Sequence, residues 1–482
     1  MVSSTVTRPE ATANAQAEPA TFRRSLTFFD VTNITVGAII GADIYIAAAI
    51  TAGLLGPASL LAWASAGIIA TVLALTLAEC ARLVPSVGGP YAYVSRAFGS
   101  FPGFLAGWSM WIAELTAMPV FAIAFTNYLG YFVDLSHVAT HAIRIAFLVC
   151  LTLVNVVSVR AAGRLNDALT ALKLAPLLLL ILGGIVYLAF HTTEAADNLT
   201  PFAPMGFGNF STALVLVVWA YMGFELSTVP AGEVENPGRT IPRALATGML
   251  IVTAFYLSTN LVLYSLVSHE ELAVTSIPLV AGATVVFGSA GAAMMAAGAM
   301  VSVSGSDESD MLGASRLSYA MAADGLLPHR LAAIHGRFRT PYIALLAQAG
   351  AAISLSFIDH LASLISFAVF NLAFSFLLSA FALMKIHTSS EGIPWSRRLL
   401  PFVAVGITIG LLLVTSTDDR IEGCLVLALG VAVYVLLSPR RELADALTYL
   451  TNPEHVHAVL GRGRFRFLGG LVGWLGGKGT PP

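Results

Sequence analysis

Four ionisable side chains stand where a chain can least easily keep them. They are Asp43 in GAIIGADIYIAAA, Glu114 in WSMWIAELTA, Lys173 in TALKLAPLLLL and Glu225 in VVWAYMGFELS, all inside long apolar runs. An ionised group in hydrocarbon costs about 2.5–3.5 kcal/mol on insertion scales, so such residues usually turn toward a wet cavity and find a partner. Three uses are open to them: holding an organic cation, neutralising one another, or gaining and losing a proton. A second acidic group, Asp307, Glu308 and Asp310 in SVSGSDESDML, precedes Arg316 by under about three helical turns. It is expected at an inner mouth, drawing in cations or pairing with arginines. Ser302, Ser304 and Ser306 lie before these acids, and any of the three could hydrogen-bond Lys173. Residues for covalent chemistry are missing: there is no phosphate-binding loop, no HExxH, no Cys/His ligand set and no GxSxG in a strand-turn-helix setting. Neither an enzyme nor a cofactor or metal is expected. Cys80, Cys150 and Cys424 lie in or beside apolar runs without metal spacing, and read as small buried hydrophobes.

The elements that must position these groups are membrane helices. Of 482 residues, 57% are hydrophobic and only 11% charged, with a mean hydropathy of +0.81; no water-soluble domain of this size has that balance. A hydrocarbon core of about 30 Å takes about 20 apolar residues per helix. About twelve such runs can be drawn, near 31–53, 58–83, 101–132, 139–159, 166–190, 209–231, 242–267, 283–306, 341–358, 361–385, 399–416 and 421–438. Barrel strands would alternate apolar and polar residues, and LAPLLLLILGGIVYLAF does not. Most arginines, from Arg23 and Arg24 through Arg160 and Arg243 to Arg397 and Arg398, fall in alternate connections, which the positive-inside rule makes cytoplasmic. The opposite connections carry Glu194, Asp197, Glu270, Glu271, Asp359, Asp418 and Asp419, with Arg420 and the boundary residue Arg144 as exceptions. Both termini are thus expected in the cytoplasm, on a multi-pass protein of the plasma (cytoplasmic) membrane. The first 25 residues lack the apolar core of a cleavable signal, so the first span is expected to direct insertion. Residues 1–25 have the composition of a disordered tail. Residues 439–482 mix arginines with Phe465, Phe467 and Trp474 and suit either an interfacial segment on an anionic leaflet or a free basic tail.

The first and sixth runs share a feature. Each has a glycine followed two residues later by an acid: Gly41 before Asp43, and Gly223 before Glu225. Five spans apart, they would have opposite orientations, as inverted repeats of secondary transporters do. Helices broken there leave backbone groups that lipid tolerates only around a polar cavity.

On these motifs the chain resembles the amino acid/polyamine/organocation permeases, over about Thr27 to Leu437. GAIIGADIY resembles the first-span signature, ECARLVPSVGGPYAYVSRAFG (79–99) the loop between spans two and three, GFELSTVPAGEVENPGRTIPRA (223–244) the sixth-span exit, and SRLSYAMAADGLLP (315–328) the loop after span eight. The resemblance implies an all-α polytopic fold: a first inverted repeat of five helices at 26–190, a second at 205–390, and two extra helices at 395–438. It also implies alternating access. Gly41, Ala42, Asp43 and Ile44 match positions that hold a substrate carboxylate. Ala42 lacks the usual hydroxyl, and Asp43 puts a negative charge where a glycine is usual. Trp219 and Tyr221 match the place of an aromatic that closes over substrate, or are packing aromatics. Gly223 matches the sixth-span break, Glu225 a gating and proton-sensing position, and Glu114 a contact to the substrate's distal group in basic-amino-acid exchangers. The structural alternatives are a carboxylate bonded to loosened backbone for Glu225 and a partner for a neighbouring helix's hydroxyl for Glu114. Lys173 matches a lysine that stands where related transporters hold sodium.

Three roles for Asp43 stay open: binding an ammonium directly, pairing with Lys173, or facing water in a vestibule. The expected function is secondary active transport of amino acids or related organic cations, sodium-independent, coupled to protons or to exchange. A transporter of polyamines or decarboxylated amines is the nearest alternative. A nutrient sensor would need a folded signalling domain that neither tail is long enough to supply, and a channel is disfavoured by the two broken helices. The expected partners are a small amine or amino acid, protons and lipid, with no nucleic acid.

Overall fold

The computed structural model describes residues 26–437 apart from 87, 158, 229, 230, 232, 233 and 389–391, with side chains omitted over 159–171 and at 396. The tails expected at 1–25 and 439–482 lie outside the described residues. Among the described residues every apolar run read from the sequence falls largely on helix, the first and sixth with an interruption. In chain order the helices are α1 (Phe28–Ile39), α2 (Ala42–Leu55), α3 (Ser59–Leu83), α4 (Pro90–Phe98), α5 (Ser100–Leu129), α6 (His137–Val157), α7 (Val159–Phe190) and α8 (Thr192–Asn198). They continue with α9 (Phe210–Ala220), α10 (Pro237–Leu266), α11 (His269–Val274), α12 (Pro278–Ala323), α13 (Tyr342–Leu355), α14 (Leu361–Thr388), α15 (Trp395–Val414) and α16 (Thr417–Leu437). Ten helical stretches are long and apolar enough to cross a membrane, and α1 and α13 are shorter apolar helices. No strand is present among the described residues beyond one isolated bridge, Leu26 to Val234.

Local sequence sets the ends that matter. Thr27 and Asp30 cap the start of α1 reciprocally: Thr27 N–H donates to Asp30 Oδ2 at 2.8 Å, and Asp30 N–H reaches Thr27 Oγ1 at 3.4 Å. The Glu235 N–H donates to Leu26 O at 2.9 Å, tying the entry to α1 to the segment leading into α10. A left-handed Gly288 bends α12 (φ 64°), which then runs on to Ala323.

Packing follows a regular scheme. Helix α1 packs on α10 and α9 on α3; α5 packs on α14 and α12 on α7; α3 lies against α10 and α5 against α12. Numbered as spans, these pairs are one with seven and six with two, three with ten and eight with five, and the self-matching two with seven and three with eight. Two five-helix units related by a two-fold axis would give that pairing. Helices α15 and α16 pack outside, on α14 and α5.

Leu153, Leu178, Leu182, Leu413, Leu425 and Leu436 leave a broad apolar exterior, the surface a bilayer covers. Cys80 is buried as expected, whereas Cys150 and Cys424 are exposed on this exterior. A thiol is apolar enough to face lipid, so its hydrophobicity did not require burial. Arg144, the boundary exception to the charge asymmetry, is buried and donates to Asp359 Oδ1 at 2.7 Å. That guanidinium holds the Asp359 carboxyl below its usual range. At the other end of the bundle Glu79 gathers Arg82 (2.6 Å), Arg397 (3.5 Å) and His387 (3.5 Å), joining α3, α14 and α15.

Candidate functional site

The first and sixth runs are both broken, at the glycines. Helix α1 stops at Ile39, Ile40 and Gly41 are non-helical (Gly41 at φ −135°, ψ −143°), and α2 begins at Ala42. Helix α9 stops at Ala220, Gly223 takes φ 108°, and a 3-10 turn, Phe224–Thr228, follows. The two breaks touch. A methyl group on Gly223 would lie 2.9 Å from Ala38 O and 3.2 Å from Ile39 N, and the positive φ is itself strained for any other residue. A methyl on Gly41 would overlap the Ser306 hydroxyl of α12. Both glycines are therefore required by close approach as well as by the break.

Breaking a helix leaves carbonyls at one cut end and N–H groups at the other. At the carboxyl end of α1, Ile40 N–H donates to Val36 O at 3.0 Å, Lys173 Nζ donates to Gly37 O, and Tyr256 Oη donates to Ile39 O at 2.9 Å. A cation at a helix carboxyl end is also favoured by the macrodipole. At the amino end of α2, Asp43 sits in the first turn, where that dipole favours an anion. In the sixth span Gly223 N–H donates to Glu225 Oε1 at 3.0 Å, while Glu225 Oε2 has no hydrogen-bond partner. Each break is thus stabilised by an ionisable side chain.

Between the breaks lies a cavity of about 20 Å³, room for about one water. It is lined by Ala38, Asp43, Ala113, Glu114, Ala117, Phe121, Trp219, Met222, Gly223, Glu225, Asp310 and Leu372. Four carboxylates face it and no Lys, Arg or His does. Asp310 acts electrostatically on both Asp43 and Glu114, and Glu225 acts on Asp43, Glu114 and Asp310. Glu114 Oε1 has no hydrogen-bond partner. Mutual repulsion of this kind is relieved by a cation or by protons.

Of the residues singled out in the sequence, Asp43, Glu114, Trp219, Gly223 and Glu225 meet in this lining. Gly41, Ala42 and Ile44 form the break and the buried first turn of α2 but stay outside the lining. Tyr221 is a packing residue: its hydroxyl donates to Trp63 O at 3.1 Å, and its ring lies 5.1 Å from Tyr256. Lys173 also stays outside the lining and makes no ion pair with Asp43 within 4.0 Å, although Asp43, Asp310 and Glu308 all act on its charge. Its ammonium turns to the α1 carbonyl and to none of the three serines.

The acids of α12 correct an expectation. Asp307, Glu308 and Asp310 are buried rather than placed at a mouth; Asp310 lines the cavity, and the Asp307 carboxylate has no hydrogen-bond partner. The apolar run ends near 306 while the helix continues to Ala323, because the polar face that ends the hydropathy signal points inward. The sequence does carry a signal for Asp310: Ser302, Ser306 and Asp310 recur at every fourth residue, one stripe of a helix. Phe121, Met222, Leu372 and the alanines of the lining have no signal of their own, since apolar residues on a buried helix look alike from every side.

Known sequences resemble this one along most of its length. The profile of the family described as "Amino acid permease" matches residues 26–431. The serine/threonine exchanger SteT of Bacillus subtilis is 28% identical over 426 residues, covering 85% of this chain and 95% of its own. The methylthioribose transporter of the same organism is 26% identical over 464 residues (91% and 98%). The mouse large neutral amino acids transporter small subunit 2 is 32% identical over 358 residues (70% and 66%). With a match reaching from the start of α1 into α16, the chain belongs to the amino acid permease family.

Proposed function

We propose that this protein is a secondary active transporter of the plasma (cytoplasmic) membrane, with both termini cytoplasmic, that carries an amino acid or related organic amine by alternating access and prefers a positively charged substrate. The observation that carries this reading is the cavity at the two crossing breaks, lined by four carboxylates and no base. An ammonium would sit among Asp43, Glu114, Glu225 and Asp310, against Phe121 and Trp219, gaining charge-assisted hydrogen bonds and cation–π contact. The α2 amino end, which could otherwise hold a substrate carboxylate, already carries Asp43. A guest with a free carboxylate would meet repulsion there unless protons or a second positive charge offset it. At about 20 Å³ the cavity has room for about one water, so it must widen to admit any larger guest.

Lys173 of α7 brings its amino group to the carboxyl end of α1, in the role that a transported inorganic cation would otherwise fill at the break. Sodium is then unnecessary, and the driving force comes from protons, taken up by the cavity acids, or from exchange. Competition of uptake in proteoliposomes by arginine, agmatine, putrescine and alanine tests the substrate class. Agmatine or putrescine outcompeting alanine is the expected result. Alanine or serine winning would favour the second reading, a zwitterionic substrate like that named for the serine/threonine exchanger, with the acids protonated.

A further inference from the structure

Away from the cavity, on the face that the charge asymmetry makes the outer one, two histidines and an acid converge. His137 and His141 stand one turn apart at the start of α6, and Asp359 comes from the connection between α13 and α14. One ligand atom from each, a ring nitrogen of either histidine and a carboxylate oxygen, lies within 4.8 Å of the other two. We propose that His137, His141 and Asp359 bind a divalent transition-metal ion, zinc being the best match, and that the ion fastens α6 to the connection entering α14.

The donor set selects the metal. Two imidazoles and a carboxylate suit zinc, which at exchangeable sites takes three protein ligands and a water; calcium and magnesium ask for oxygen alone. Zinc bonds of about 2.0–2.2 Å would draw the three atoms closer than they now stand, a shift of about an ångström that side-chain rotation supplies. The surroundings fix the ligands in advance. Arg144 donates to Asp359 Oδ1 (2.7 Å) and to Ser356 O (3.2 Å), so the carboxylate is oriented through one oxygen while the other is left for a metal. The His141 ring stacks on Phe357 at 5.1 Å, and its Nδ1 is buried without a hydrogen-bond partner. The His137 and His141 rings are 4.6 Å apart, centre to centre. Because Arg144 already neutralises Asp359, the site would hold zinc reversibly rather than permanently.

The connection carrying Asp359 leads directly into α14, which contributes Leu372 to the cavity. A metal bridge would restrain α14 against α6 and slow any widening of the cavity that displaces it. Isothermal titration of Zn²⁺ into the full chain, purified in detergent and stripped with chelator, tests the site. The expected result is one zinc per chain, with affinity lowered more than about tenfold in His137→Ala and in His141→Ala, and no binding of Ca²⁺ or Mg²⁺. His137 is exposed, so its variant should fold, with unchanged thermal unfolding as the check. Absence of zinc binding, or equal binding by the double alanine variant, overturns the site. Zinc added outside proteoliposomes should slow uptake by the native chain and not by His137→Ala; binding without slowing would overturn the restraint.

Discussion

At the scale of single residues, two glycines and a few charges define the site, and they act through close contact. Gly41 is the sharper case because its neighbour is a side chain that can be changed. Gly41→Ala is expected to cost about 1–3 kcal/mol through overpacking against Ser306 and to abolish transport, whereas adding Ser306→Gly should recover much of the thermal stability. Unfolding of the purified variants in detergent reads this out, and a stable single variant would contradict the contact. The glycine-then-acid pairs at 41/43 and 223/225 were legible in the sequence because glycine weakens a helix wherever it falls and an acid in lipid demands a reason. The direction of Lys173 was not. Its long side chain can reach either a carboxylate or a cut helix end, and only the packed arrangement shows that it takes the Gly37 carbonyl.

At the scale of elements, the broken first span depends on two foreign side chains for its loose carbonyls. Tyr256 of α10 supports Ile39, and Lys173 of α7 supports Gly37. Removing a buried donor leaves its acceptor unpaired, at about 1–3 kcal/mol, more when the group is charged. Tyr256→Phe should therefore lower thermal stability moderately and keep some uptake, while Lys173→Met should lose uptake altogether because it also removes the group proposed to stand in for an inorganic cation. Uptake by Lys173→Met at the native rate would show that the lysine is merely a packing residue. The course of α12 is the element least visible in the sequence. A hydropathy run marks lipid contact rather than helix, so it ended near residue 306, while the helix carried Asp310 to the cavity by keeping its polar stripe inward. The apolar runs, by contrast, fall largely on helix among the described residues, because lipid-facing length is what hydropathy measures.

At the scale of the whole molecule, a cavity with room for about one water between two broken helices fits the proposed carrier that opens to one side at a time. The Glu79 cluster on α3, α14 and α15 and the Arg144–Asp359 pair lie at opposite ends of the bundle, and each joins separate elements there. A cysteine placed at Ala113, in a chain with Cys80, Cys150 and Cys424 replaced, should react with a membrane-impermeant maleimide from either side, and an imposed substrate gradient should shift the reaction from one side to the other. Full reaction from both sides at once would mark an open pore. The pairing of helices between the two halves of the chain was legible only as a repeated motif, because packing partners leave no periodicity in helices that are apolar on every face.

Asp43 lines the cavity at the α2 amino end, and its proposed repulsion of a substrate carboxylate is tested most directly by one ratio: uptake of agmatine against arginine in proteoliposomes holding either the native chain or Asp43→Gly. The native chain should favour agmatine, and the variant should lose that preference by about tenfold or more as the α2 amino end becomes free to hold a carboxylate. A ratio unchanged by the substitution would contradict the claim.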